Sequence, residues 1–199
     1  MGVSAQDVKA LREKTGAALM DCKRALVEAK GDAEKAVILL REKGLAKAQK
    51  KRSRATGEGI IASYVHPDSK KGVLVEVACE TDFVARNKEF TDLVKEICLQ
   101  ITAMNPLAVS REDLPPDVLE AEKQIYARQC EGKPERVVEK IIEGKLDKFC
   151  KDICLVEQPY IRDDSKTIKE LIDETIGKLG ENIEVRRFVR MTVGEDAQE

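Results

Sequence analysis

Apolar positions at the start of the chain recur at helical spacing. Val8 and Leu11 form the apolar side of a first segment, Leu19, Cys22 and Leu26 follow at i, i+3 and i+7, and Ala33, Ala36, Val37 and Leu40 line a third. The punctuation agrees with three helices. Ser4 with Asp7 has the form of a capping box, Thr15-Gly16 breaks the first helix, and the second ends near Gly31. Asp32 then caps the third and Gly44 stops it. Three short amphipathic helices over residues 4–43 predict a compact bundle, which reads equally well as a folding unit or as a recognition module.

From residue 59 the period changes. GIIASYVH and GVLVEVACE, separated by a polar turn at Pro67 to Lys71, predict a hairpin in which Val73, Val75, Val77 and Cys79 alternate onto one face. A helix over 88–104 carries Phe90, Val94, Ile97 and Ile101 in register, and Asn105-Pro106 ends it. Pro115-Pro116 opens a helix to about Cys130. Gly132 to Pro134 make a tight link, and Glu135 to about Val156 is helical again with an interruption near Gly144. That pair predicts an antiparallel helical hairpin. A helix over 167–179 precedes the strand ENIEVRRFVRMTVGE, in which Ile183, Val185, Val189, Met191 and Val193 share a face and Arg187 is the one interruption. The pattern predicts an α+β protein: an N-terminal three-helix domain (1–45), a basic linker (46–58), and an α+β core (59–199) of three antiparallel strands packed on helices, with a helical hairpin. No internal repeat is visible.

Composition narrows the function. The 199 residues are 36% charged and 42% hydrophobic, as in a folded globular chain. A net charge of -2, from 35 basic and 37 acidic side chains, provides no global attraction to nucleic acid or anionic membrane. Aromatic residues are only 4%, so an exposed phenylalanine carries more information than usual. The six cysteines form no CxxC pair and His66 is the single histidine; only Cys150 and Cys154 lie one helical turn apart. Zinc sites need denser ligands, so the expectation is reduced, structural thiols with no metal and no cofactor. MGVSAQDVKA has no apolar h-region, Gln6 stands where a myristoylation motif wants Ser or Thr, and no run is long enough for a bilayer. A cytoplasmic protein without a membrane partner is expected.

Two stretches hold candidate chemistry. In LAKAQKKRSRATGE (45–58), Lys47, Lys50, Lys51, Arg52 and Arg54 occur with no acid until Glu58. They suit phosphate contacts, but no interleaved aromatics offer base stacking, so the run reads as a solvated helix tail and linker. An RNA-associated protein using this run is the rival reading. The second stretch is ACETDFVARN (78–87), a strand-to-helix corner with Phe83 between Asp82 and Val84. Thr81 or Asp82 can cap the helix while Phe83 folds back as a staple; alternatively Phe83 projects as an interface anchor beside a carboxylate. Spacing leaves both open. Catalysis has little support: there is no Gly-rich phosphate loop, no GxSxG, and His66 sits in a hairpin turn before Pro67. A thiol enzyme using Cys150 or Cys154 would need a depressed thiol pKa. A binding protein, not an enzyme, is expected.

VKALREKTGAALMDCKRAL (8–26), VEVACETDFVARN (75–87) and GENIEVRRFVRMTVGE (180–195) closely resemble the elongation factor Ts family, nearly end to end and in order. Where that family commonly reads TGAGMMDCK, this chain has Ala18 and Leu19. The resemblance implies a ubiquitin-associated-like N-terminal domain that docks on the nucleotide-binding domain of elongation factor Tu through Val8, Leu11, Arg12, Leu19 and Met20. It implies that Thr81, Asp82, Phe83 and Val84 form a wedge that dislodges magnesium from that GTPase, promoting GDP release, which favours the outward anchor. It also implies partnership with both GDP-bound and nucleotide-free elongation factor Tu, no direct nucleic-acid binding, and a homodimer, because the chain carries one core subdomain like the short members of the family.

Overall fold

The computed structural model describes residues 3–130 and 134–195. Helices α1 (Ala5–Thr15), α2 (Leu19–Glu28) and α3 (Ala33–Lys51) come first, then strands β1 (Glu58–Val65) and β2 (Lys71–Cys79). A single turn of helix, α4 (Asp82–Ala85), leads into α5 (Lys88–Met104), followed by α6 (Pro116–Arg128) and α7 (Glu135–Ile153). The chain closes with β3 (Pro159–Tyr160), β4 (Asp163–Thr167), α8 (Ile168–Leu179) and β5 (Ile183–Thr192). The architecture is α+β: β1, β2 and β5 form a three-stranded antiparallel sheet in the order β1-β2-β5, and β3 pairs with β4 in a second small ribbon. That ribbon was not legible in the sequence, since DDSKT is polar throughout. The link expected at Gly132 to Pro134 falls, but for Pro134, outside the described residues.

Contacts divide the chain into two compact units: residues up to Ile60 with Val77–Leu93 and Glu170–Glu184, and Ile61–Glu76 with Val94–Lys169 and the residues from Val185 onward. In the first unit the helix starts follow from local chemistry. The Asp7 N–H donates to Ser4 Oγ at 3.1 Å while the Ser4 N–H donates to the Asp7 carboxylate at 3.1 Å, satisfying two helix-terminal donors at once. Asp32 accepts from the amides of Glu34 and Lys35 at the start of α3. Val8, Leu11, Cys22, Leu26 and Ala36 close over one another as a core.

Helix α3 departs from expectation: it continues through Gly44 to Lys51. Glycine costs a helix interior about 1 kcal/mol relative to alanine, so its presence there has a tertiary explanation. A Cβ added to Gly177 of α8 would lie 3.2 Å from the Gly44 Cα, so the two helices meet backbone to backbone at this pair. Proximity, and not termination, accounts for Gly44.

In the second unit α6 and α7 form the expected antiparallel hairpin, with Lys145 5.0 Å above the Tyr126 ring at one end and Leu119 packed on Cys150 and Cys154 at the other. Helix α7 runs through Gly144 without the expected interruption. The buried Gln100 amide is fully used: its nitrogen donates to Gln158 Oε1 at 3.1 Å and Pro159 O at 3.0 Å, and its oxygen accepts from the Ile161 N–H at 3.0 Å.

Strand β5 also differs from its reading. Ile183 and Val185 are buried, but Arg186 and Arg187 are both exposed, and the partly buried positions then become Phe188, Arg190 and Thr192. The inward alternation slips by one residue, turning Val189, Met191 and Val193 to solvent. Period-2 counting cannot see such a slip, because it assumes an unbroken pleat.

Candidate functional site

The corner after β2 is built from its capping residue outward. Thr81 precedes α4 in an extended conformation, and its hydroxyl accepts from the Val84 N–H. Of the next residues, Val84 and Ala85 turn inward and are buried, while Phe83 stands 82% exposed. Asp82 pairs with Arg86 at 3.2 Å on the outer side. Asn87 then starts the longer helix, its side chain accepting from the Glu89 N–H at 2.8 Å. Phe83 is therefore outside the core, and the inward role that a staple would fill belongs to Val84.

A polar network fixes the base of this corner. The Thr81 N–H and hydroxyl donate to the two carboxylate oxygens of Glu181 at 3.0 and 2.8 Å, and the Thr81 carbonyl accepts from the Cys79 thiol at 3.1 Å. Burial, and next the negative charge of Glu181, push the Cys79 thiol above its ordinary range. Glu80 accepts from the Asn182 N–H at 2.7 Å and pairs with Arg54 at 3.3 Å, so its carboxyl is held below the usual range, chiefly by the Asn182 hydrogen bond. Glu181 and Asn182 were missed in the sequence as contributors to the corner, because about a hundred residues separate them from it. The one available signal was that GENIEVRRF belongs to a stretch sharing the family's pattern.

The other named residues fall into two sets. Arg12, Leu19 and Met20 are exposed on α1 and α2, whereas Val8 and Leu11 are buried in the core beneath. In the second unit, the outer side of the sheet is apolar and uncovered: Ile61 is 71% exposed, Met191 72% and Val193 74%, with Val65, Leu74 and Val189 also exposed. Among them Arg187 donates to Glu76 at 2.7 Å.

The rival chemistries find little footing. Lys47 pairs with Asp21 at 2.7 Å, Arg52 with Asp173 at 2.7 Å and Arg54 with Glu80, and the Lys51 ammonium donates to the Gly180 carbonyl. Most of the basic run is thus occupied within its own unit. All six thiols are buried; burial raises Cys150 and pushes Cys154 up to about 12, the reverse of nucleophile activation. Among the described residues no cluster of His, Cys, Asp and Glu side chains is suited to a metal ion, and no helix is long and apolar enough to cross a membrane.

An exposed aromatic on a braced corner, together with an uncovered apolar sheet, belongs to the chemistry of protein–protein recognition. Comparison with known proteins gives the family. The family model for elongation factor Ts matches residues 6–195. Elongation factor Ts of Thermoanaerobacter sp. is 59% identical over 195 residues, covering 97% of this chain and 96% of its own. That of Solidesulfovibrio magneticus is 55% identical over 197 residues, covering 98% of each, and that of Thermodesulfovibrio yellowstonii 56% over 200 residues, covering 100% of each. The chain belongs to the elongation factor Ts family and matches its relatives over nearly their whole length.

Proposed function

We propose that this chain is a cytoplasmic guanine-nucleotide exchange factor of translation elongation, acting on elongation factor Tu and not catalysing a covalent reaction. It binds the GDP-bound GTPase, displaces magnesium with Thr81, Asp82, Phe83 and Val84, and holds the nucleotide-free form until GTP enters. The observation that carries this reading is Phe83, 82% exposed at the tip of a corner whose base is tied down by hydrogen bonds. Family membership supports the partner.

The physical chemistry of the wedge is coherent. Magnesium bridges phosphate oxygens and side-chain hydroxyls and offsets the phosphate charge, so an aromatic side chain pressed near that site, with a carboxylate beside it, weakens the nucleotide's hold. Linkage then requires that nucleotide weaken the factor equally. Accelerating release by ~10⁴-fold means lowering the barrier by roughly 5.5 kcal/mol, within reach of one or two hot-spot residues backed by a docking surface. That surface is assigned to the ubiquitin-associated-like domain at 1–45, with Arg12, Leu19 and Met20 outward and Val8 and Leu11 shaping it from beneath. The basic stretch 46–58, whose residues up to Lys51 are the end of α3, links this domain to the core without direct nucleic-acid binding, and the core at 59–199 dimerises. The uncovered sheet face, with Ile61, Val65, Leu74, Val189, Met191 and Val193, supports a homodimer in which a second copy covers it.

The test is release of a fluorescent guanine nucleotide from elongation factor Tu with this chain substoichiometric. Fast release with each molecule turning over many times is expected. Release no faster than the spontaneous rate overturns the proposal.

A further inference from the structure

Three consecutive residues between α8 and β5 each grip a different part of the corner's support. Gly180 (φ 79°) turns the chain in a left-handed conformation that side chains disfavour, and its carbonyl accepts from Lys51. Glu181 receives both the N–H and the hydroxyl of Thr81, at 3.0 and 2.8 Å. Asn182 donates its own N–H to Glu80 at 2.7 Å, and its side-chain amide donates to the carbonyls of Arg54 at 2.9 Å and Arg52 at 3.3 Å.

A helix of 4 residues cannot orient itself, because one turn fixes several dihedrals for little hydrogen-bond return. Nor does Phe83 gain orientation from packing, being 82% exposed. Its direction comes from the backbone on either side: Val84 and Ala85 are buried beneath the turn, and before it the Thr81 N–H and hydroxyl both end on one carboxylate. Hydrogen bonds to an ionised acceptor are the stronger kind, and a two-point contact sets angle as well as distance. We propose that Glu181 is a positioning residue for nucleotide exchange: it holds Thr81 so that Phe83 projects in one direction, with Asn182 bracing the same turn. The role rests on the exchange reading above, in which Phe83 is the wedge.

A positioning role and a merely structural one make different demands on kinetics. Saturation curves for nucleotide release from elongation factor Tu are to be measured for the wild type, Glu181→Ala, Glu181→Gln, Phe83→Ala and the double variant Phe83→Ala/Glu181→Ala. Glu181→Ala is expected to lower the saturating rate roughly tenfold to a hundredfold, the scale of losing hydrogen bonds to a charged group, with the half-saturating concentration within about twofold. Glu181→Gln, whose amide can accept from the N–H and donate to the hydroxyl, restores most of the rate. The losses in the double variant are well below additive, since Glu181 acts on the rate chiefly through Phe83. A wild-type rate in Glu181→Ala, a Gln variant as impaired as the Ala variant, or additive losses in the double variant each overturns the proposal.

Amide hydrogen exchange separates this proposal from the reading it rests on. The Thr81 amide is expected to be protected in the wild type and to lose that protection in Glu181→Ala, while amides within β2 keep theirs. An unprotected Thr81 amide in the wild type overturns the clamp even if exchange is fast. If the wild type releases no nucleotide, the exchange reading fails, and the Thr81 amide still decides whether Glu181 holds the corner.

Discussion

The corner at 79–84 and the outer face of the β1-β2-β5 sheet both present apolar side chains to water, yet they are built in opposite ways. At the corner a single aromatic, Phe83, is exposed; below it the Thr81 N–H donates to Glu181, the Thr81 carbonyl accepts from the Cys79 thiol, and the Glu80 carboxylate accepts from the Asn182 N–H. On the sheet, Ile61, Val65, Leu74, Val189, Met191 and Val193 are spread over three strands and their edge, and Arg187 pairs with Glu76 among them. A lone braced anchor is suited to delivering force at one point, so its effect is read in a rate. A broad uncommitted patch is suited to burying area, so its effect is read in an association constant.

The sharpest way to break this contrast is Phe83→Ala. Truncating a central aromatic anchor removes ~2 to 4 kcal/mol, so the saturating rate of nucleotide release is expected to fall by about 30- to 1,000-fold. Because Phe83 lies outside the core, the unfolding midpoint should stay where it was; a variant that exchanges like the wild type removes the corner from the mechanism.

Met191→Asp makes the corresponding change on the sheet. A carboxylate buried without a partner at a two-fold contact is expected to weaken self-association by about 2 kcal/mol or more, roughly thirtyfold. Sedimentation across a concentration series reads this directly, and the far-ultraviolet dichroism should not move. An unaltered sedimentation profile means that the outer sheet face is not where two copies meet.

The smallest effect expected is a titration. Glu80 is held below its usual 4.5, first by the Asn182 N–H and then by Arg54. A depressed carboxyl contributes stability that is present above the ordinary value and is lost as pH falls through the folded value. Carbon-detected NMR titration of the Glu80 carboxyl should therefore find a midpoint below 4.5, with the corner amides losing protection in the same acid range. A midpoint at or above that value means the 180–182 turn does not grip Glu80 in solution.

Much of the fold could be read one segment at a time. The helix over 88–104 carries its apolar residues at i, i+4, i+7 and i+11 and forms with those bounds, and the Ser4/Asp7 box and Asp32 cap act within three residues of themselves. What depends on a distant partner was not legible. Gly44 has the local form of a helix stop, and only Gly177 explains why the helix continues. The β5 slip at Arg186 and Arg187 likewise has no signature in a strand whose alternation looks intact on paper. At the candidate site the residues of the corner were visible; spacing left both an inward and an outward Phe83 open, and the family resemblance favoured the outward one, which is where the side chain stands.

From the sequence came the order and kind of the principal elements and, through three shared motifs, the family. Each of these depends on spacing along the chain or on residue identity, which a one-dimensional reading contains. Tertiary structure alone decided which side of the end of β5 faces water, why α3 continues through Gly44, and which carboxylate holds Thr81. Those outcomes depend on contacts between residues about a hundred positions apart, such as Thr81 with Glu181 and Glu80 with Asn182, whose energies arise only after the chain has brought them within hydrogen-bond distance.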